Sequence, residues 1–154
     1  ANNNSYNKDD NTNYLNWQKA VTKNTFENRI MEYIRNLIQF RRENKIFTDK
    51  NYPQSLSFYY DNATIAQKDN KGYWDNPLDD FFGMLINQKG KRIYIASSKN
   101  NSPLTFNLPQ NEENKAWYKC IDTSIFSDIS FEADTYIEKD YILNPHALAI
   151  FMEK

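Results

Sequence analysis

The groups of this chain best suited to chemistry are three pairs of adjacent carboxylates, one histidine and one cysteine: Asp9-Asp10, Asp79-Asp80, Glu112-Glu113, His146 and Cys120. Two carboxyls facing each other about 5 to 10 Å apart can cleave a glycosidic bond, one as acid and one as nucleophile or base. Sequence neighbours do not present such a pair: on a strand they point to opposite faces, and in a loop they are solvated. His146 sits between Pro145 and a terminal apolar run, and nothing in the sequence suggests partners for a triad or a metal site. Cys120 falls in a strand-like segment, on the same side as Ala116 and Tyr118, and reads as a core or half-buried thiol. Three glycines leave no room for a glycine-rich phosphate loop. No catalytic residue, metal or cofactor is assigned on these grounds.

The aromatics suggest a different chemistry. Tyr59, Tyr60, Tyr73 and Trp74 lie close together in sequence. Aromatic faces stack on sugar rings, and Asn and Asp neighbours suit hydroxyl-rich ligands. Tyr73 and Trp74 are the candidates for sugar stacking, with core packing as the competing reading.

Such groups need a frame to hold them. The chain has 154 residues, 40% hydrophobic and 16% aromatic, enough for a domain with a real core. A formal net charge of -1 leaves no basic surplus for a phosphate backbone, so nucleic acid is not an expected partner. No apolar run is long enough to span a bilayer, so no membrane is expected either. A lone cysteine excludes an internal disulfide and fits a reducing, cytoplasmic compartment.

Residues 1–24 are polar and lack a sustained period, and read as loop with at most a short turn. Asn24 or Thr25 then offers a helix cap, with Glu27 in capping-box position. Phe26, Ile30, Tyr33, Ile34, Leu37 and Ile38 recur at steps of three and four, which predicts one apolar stripe on a helix ending near Asn44. Arg41 and Arg42 complement the dipole at its end.

After Pro53 the pattern changes to short strands: Leu56 to Tyr60, Phe81 to Asn87, Arg92 to Ser98, Leu104 to Leu108, Trp117 to Ile121, Thr135 to Ile137, Tyr141 to Leu143 and Ala147 to Met152. Gln88-Lys89-Gly90 reads as a hairpin turn. The expected fold is mainly β: an antiparallel β-sandwich preceded by one amphipathic helix. A single striped helix needs a partner surface. It either packs on the sandwich or belongs against a neighbouring domain.

Four blocks carry a resemblance. Asn2-Asn3-Asn4-Ser5-Tyr6, then Asp9-Asp10-Asn11, then Tyr14-Leu15-Asn16-Trp17, resembles a segment of isoamylases and bacterial glycogen debranching enzymes, glycoside hydrolases of the α-amylase superfamily. Asn16 stands where that family usually has Asp, and Tyr14 where an earlier Trp is common. Leu37-Ile38-Gln39-Phe40-Arg41-Arg42-Glu43 looks like the end of the family's last barrel helix. Trp74-Asp75-Asn76-Pro77 with Phe82-Gly83-Met84-Leu85-Ile86 looks like its Trp, Pro, Leu-Gly strand entry. Trp117 with Asp122-Thr123 is similar to a Trp and Asp-Thr pair of its C-terminal β-domain.

The resemblance implies a division into 1–24, loop remnant of a catalytic (β/α)₈ barrel; 25–45, last barrel helix; and 46–154, a C-terminal β-sandwich. It implies a parent that hydrolyses α-1,6-glucosidic branch points in glycogen or related α-glucan with retention. The family's catalytic carboxylates precede the triple-Asn segment, so none is expected here and the chain alone is expected to be inactive. The implied partners are the barrel of the same polypeptide and, in the parent, α-glucan polysaccharide. The triple-Asn loop follows the eighth barrel strand, near the face where barrel active sites lie. Asn3, Asn4 and Tyr6 then border the substrate cleft, unless the Asn side chains only bond the local backbone. Ala1, where the family usually has Gly or Cys, is expected to mark an artificial boundary. Three rivals stay open: a carbohydrate-binding sandwich module, the equivalent domain of a pullulanase or trehalohydrolase relative, and a stand-alone interaction protein.

Overall fold

The computed structural model describes residues 9, 13, 14, 16–66, 80–125 and 135–154. Two α-helices come first, α1 (Trp17–Val21) and α2 (Phe26–Glu43), then a 3₁₀ turn, Lys45–Phe47. Among the described residues nine strands follow: β1 (Ser55–Tyr59), β2 (Ile65–Ala66), β3 (Phe81–Gln88), β4 (Lys91–Ser98), β5 (Leu104–Asn107), β6 (Trp117–Asp122), β7 (Thr135–Ile137), β8 (Asp140–Leu143) and β9 (Leu148–Glu153). The expected strands are present with ends shifted by a residue or two. β2 was not foreseen, because two residues carry no readable period.

The caps explain the helices. Thr25 caps α2, its hydroxyl accepting from the Asn28 N–H at 3.1 Å, and Asn44 closes it. The expected loop before it contains α1, which is a departure from the polar reading of residues 1–24. Asn16 caps α1 by accepting from the Lys19 N–H, and Thr25 and Asn28 donate back to the carbonyls of Lys19 and Ala20. A five-residue helix gains little from propensity and here depends on that tether.

Seven antiparallel strands form one sheet in the order β2-β1-β3-β4-β9-β6-β7, and β5 and β8 form a separate ribbon. Lys89 and Gly90 join β3 to β4 with φ of 51° and 75°, the two positive dihedrals of a hairpin turn whose twist matches the strands. The C-terminal β9 lies between β4 and β6. The sheet is antiparallel throughout its described pairings, as the alternating pattern predicts.

Each face of the sheet has its own cover. On one face Tyr94, Ala96, Trp117, Ala149 and Phe151 meet Phe106 and Leu143 of the ribbon. Ala96 pairs with Ala149, which leaves space above them, and Phe106 stands 5.9 Å from Phe151 and 6.1 Å from Tyr94. On the other face Phe40, Leu37 and Phe47 sit on Cys120, Ile121, Ile150 and Met152. A bulge makes the second cover possible. Lys119 pairs with Phe151 and Ile121 with Ile150, so Cys120 is an extra residue on β6. Tyr118 and Ile121 consequently turn to the same side although they are three residues apart. Gly83 lies within β3 because a Cβ there would collide with the Tyr94 hydroxyl.

The sandwich is thus unequal, with a ribbon facing seven strands and a helix end on the reverse side.

Candidate functional site

The sequence candidates for substrate contact, Asn3, Asn4, Tyr6, Tyr73 and Trp74, lie outside the described residues, as do Asp10 and Asp79. The remaining chemical candidates are dispersed. Asp9 accepts a hydrogen bond from the Tyr14 hydroxyl, and Asp80 lies 3.9 Å from the Lys99 ammonium. Glu112 is ion-paired to Lys115, whose ammonium lowers its pKa, and Glu113 is exposed. His146 is exposed in a turn with φ of 52°, its Nε2 at 2.9 Å from Asn101 Oδ1. Cys120 is fully buried at the bulge, a core thiol as its strand position predicts.

One crevice of about 610 Å³ does hold two carboxylates, Glu43 and Asp49, at the junction of α2 with the β3–β4 hairpin. Glu43 accepts from Gln39. Asp49 accepts from the Lys89 ammonium at 2.7 Å, the Asn51 N–H at 3.0 Å and the Gln88 amide at 3.2 Å. These donors, Lys89 foremost, hold its carboxyl well below the usual carboxylate range. A glycosidase acid needs the opposite shift. Asp49 is a clamp: Gln88 also accepts from Gln54 N–H, and Gln54 accepts from Lys89 N–H, so the hairpin is tied to the segment below α2.

A carboxylate held down in the fold stabilises it above its unfolded pKa of about 4, and that contribution fades as pH falls below it. The midpoint of urea unfolding is therefore expected to drop from about pH 5 to pH 3 in the native chain, and to drop less in Asp49→Asn. Equal slopes for the two proteins would remove Asp49 from the account.

The motif residues are structural. Asp122 is 1% exposed, accepting from Ser124 N–H at 2.8 Å and from the Tyr141 hydroxyl at 2.6 Å. Thr123 exchanges bonds with Leu148, its N–H donating at 2.9 Å and its hydroxyl accepting at 2.8 Å. The pair locks the end of β6 to β8 and β9. Trp117 is buried at the opposite end of β6, its indole N–H donating to the Pro109 carbonyl at 2.7 Å.

What stands out instead is the outer side of the helices. The single stripe expected on α2 is divided. Leu37 and Phe40 turn to the sheet, while Ile34 and Ile38 remain 49% and 48% exposed. Trp17, Val21 and Phe26 are exposed beside them. Between α1 and α2 runs a groove of about 500 Å³ walled by Trp17, Ala20, Ile30, Met31 and Ile34. A second of about 480 Å³ continues past Ile38 to Arg42. Contiguous apolar surface of this kind on a charged helix marks an interface. Covering these five exposed side chains is worth on the order of 5 kcal/mol.

Isoamylase of Pseudomonas amyloderamosa and isoamylase of Pseudomonas sp. (strain SMP1) are each 26% identical to this chain over 134 residues, 83% of its length. The match covers 16% of each relative, so the chain spans less than a fifth of their length. The chain is isoamylase-like. This isoamylase-like chain shares its fold with a substituted form of trehalulose synthase MutB (TM-score 0.52, 16% identity, 93% of this chain and 20% of that one). It shares it also with isomaltulose synthase from Klebsiella sp. LX3 (TM-score 0.52, 13% identity, 90% of this chain and 19% of that one). No family model matches. The mainly antiparallel β-fold expected from the sequence is the fold of this chain, and over 83% of its length the chain is similar to isoamylase. Among the described residues no helix is long and apolar enough to cross a membrane.

Proposed function

We propose that this chain is the non-catalytic C-terminal domain of a glycoside hydrolase that cleaves α-1,6 branch linkages in glycogen or a related α-glucan, and that it packs on the catalytic barrel of the same polypeptide. The observation that carries the reading is the exposed apolar face of α1 and α2 on a chain similar to 16% of an isoamylase. In this reading residues 25–45 are the last barrel helix and 1–24 its loop, while 46–154 form the β-domain. Phe40 and Phe47 fix the helix to the sheet, and Ile34 and Ile38 meet the barrel. Asp49, Asp122 and Glu153 are each held by donors of the fold itself, which supports a silent role for them. The buried free thiol of Cys120 supports a reducing, cytoplasmic setting.

The activity side is tested on glycogen. The chain alone is expected to release no reducing ends, and hydrolysis by the purified chain would overturn the reading. The docking side is tested at Ile34. Because that side chain is half exposed here, Ile34→Asn is expected to change the stability of this chain by less than about 0.5 kcal/mol. In the complete enzyme the same substitution meets a buried interface and is expected to cost about 1 to 3 kcal/mol. Thermal unfolding of both proteins decides it: an unchanged melting temperature in the complete enzyme counts against the docking face.

A further inference from the structure

At one end of the sandwich, where the ribbon meets the sheet, lies a crevice of about 470 Å³. That volume is within the range of small-molecule sites, about 300 to 1,000 Å³. Its floor is apolar, Leu108 and Trp117. Its rim carries Asn107, Gln110, Glu138 and Lys139.

The walls are fixed and the rim side chains are not engaged. Asn107 N–H donates to Asp61 O at 2.7 Å, and Leu108 N–H to Lys139 O at 2.8 Å. The carbonyl of Pro109 accepts from Trp117, and that of Gln110 from Arg92 at 3.2 Å. Four distant segments are thereby held in place by their backbone. Yet among the described residues no hydrogen bond or ion pair holds the side chain of Asn107, Gln110, Glu138 or Lys139. This is a preformed concavity whose polar groups remain available, the arrangement that lowers the ordering cost of a ligand.

The chemistry of the rim selects a class. One carboxylate and one ammonium offset each other, so neither an anion nor a cation is favoured. Each amide both donates and accepts, as each sugar hydroxyl does. The position also suits a working enzyme. Trp117 belongs to the core on the ribbon side of the sheet, whereas α2 packs on the reverse side, so docking through α2 leaves the crevice open.

We propose that this crevice is a binding site for a neutral oligosaccharide. That the sugar is an α-glucan rests on the isoamylase-like reading above; that it is a saccharide rests on the crevice. The site is open to solvent, so affinity is weak, with Kd on the order of 1 mM.

The test is titration of the isotope-labelled chain with maltoheptaose and, separately, cellohexaose, followed by amide chemical shifts. Saturable shifts are expected at Asn107, Gln110, Glu138 and Lys139 with maltoheptaose. Losing one amide weakens binding roughly fivefold, so Asn107→Ala with Gln110→Ala together weaken it tenfold or more. Lys139→Ala, fully at the surface, gives a second reading should the double variant lose its dispersed spectrum. Binding of cellohexaose in place of maltoheptaose, at the same residues, keeps the crevice and overturns the α-glucan reading. No saturable shift with either sugar overturns the site, and so do shifts that saturate elsewhere and ignore all three substitutions.

Discussion

Trp117→Ala is expected to destabilise the chain by about 4 kcal/mol, the largest effect of any single substitution considered. Three losses coincide there. The indole is 1% exposed and stands between Tyr94, at 6.2 Å between ring centres, and the Arg92 guanidinium, at 5.4 Å. Removing it opens a cavity in the ribbon-side core, which rigid strands on both sides cannot fill. It leaves the Pro109 carbonyl without its donor, and it takes the ring from beneath Arg92. Trp117→Phe keeps most of the volume and loses the N–H, for an expected cost of about 2 kcal/mol. Urea unfolding should rank native above Phe above Ala; a loss under about 1 kcal/mol for Ala would mean that this residue is not in the core.

Arg92→Met follows at about 3 to 4 kcal/mol, for an electrostatic reason. The Glu153 side chain is completely buried, and Arg92 is 10% exposed. Glu153 Oε1 accepts from the guanidinium and from the Glu112 N–H, while Oε2 lies 3.8 Å from the Lys115 ammonium. Without Arg92 a fully buried carboxylate keeps only the Glu112 N–H and the longer contact to Lys115. Replacing both partners, Arg92→Met with Glu153→Met, removes the stranded charge and is expected to recover about 2 kcal/mol relative to the sum of the single changes. Strict additivity in this double-mutant cycle would show that the two groups do not interact. Arg92 also lies over Trp117, so its substitution and Trp117→Ala should fall short of additive as well.

The elements legible in the sequence are those set by local rules. Lys89-Gly90 gives the hairpin because only certain residues tolerate two positive dihedrals. Thr25 and Asn44 mark the ends of α2 because their side chains satisfy helix termini. The elements that were not legible depend on distant residues. α1 exists through bonds from Thr25 and Asn28, eight and fewer residues away, not through its own composition. The stripe of α2 splits because the bulge at Cys120 brings Ile121 beneath Phe40 and leaves Ile34 uncovered, and periodicity carries no sign of a bulge on another element. The Trp117 and Asp122-Thr123 motif was legible as a pattern, but its role as a strand lock appears only when Tyr141 and Leu148 arrive beside it. The crevice is least legible of all. Asn107, Gln110, Glu138 and Lys139 come from two separate stretches, and polar loop residues at such spacing are indistinguishable from a solvated surface until the ribbon brings them together.

The central claim is that the outer face of α1 and α2 is covered by a catalytic barrel of the same polypeptide. Hydroxyl-radical footprinting measures that cover directly. In this chain alone Trp17, which is 66% exposed, should oxidise readily, and Met31 in the groove beside it should follow. In the polypeptide made from the complete coding sequence, both should be protected roughly tenfold while Tyr52, 95% exposed and not a lining residue of either groove, keeps its rate. Equal oxidation of Trp17 in the two proteins would contradict the account.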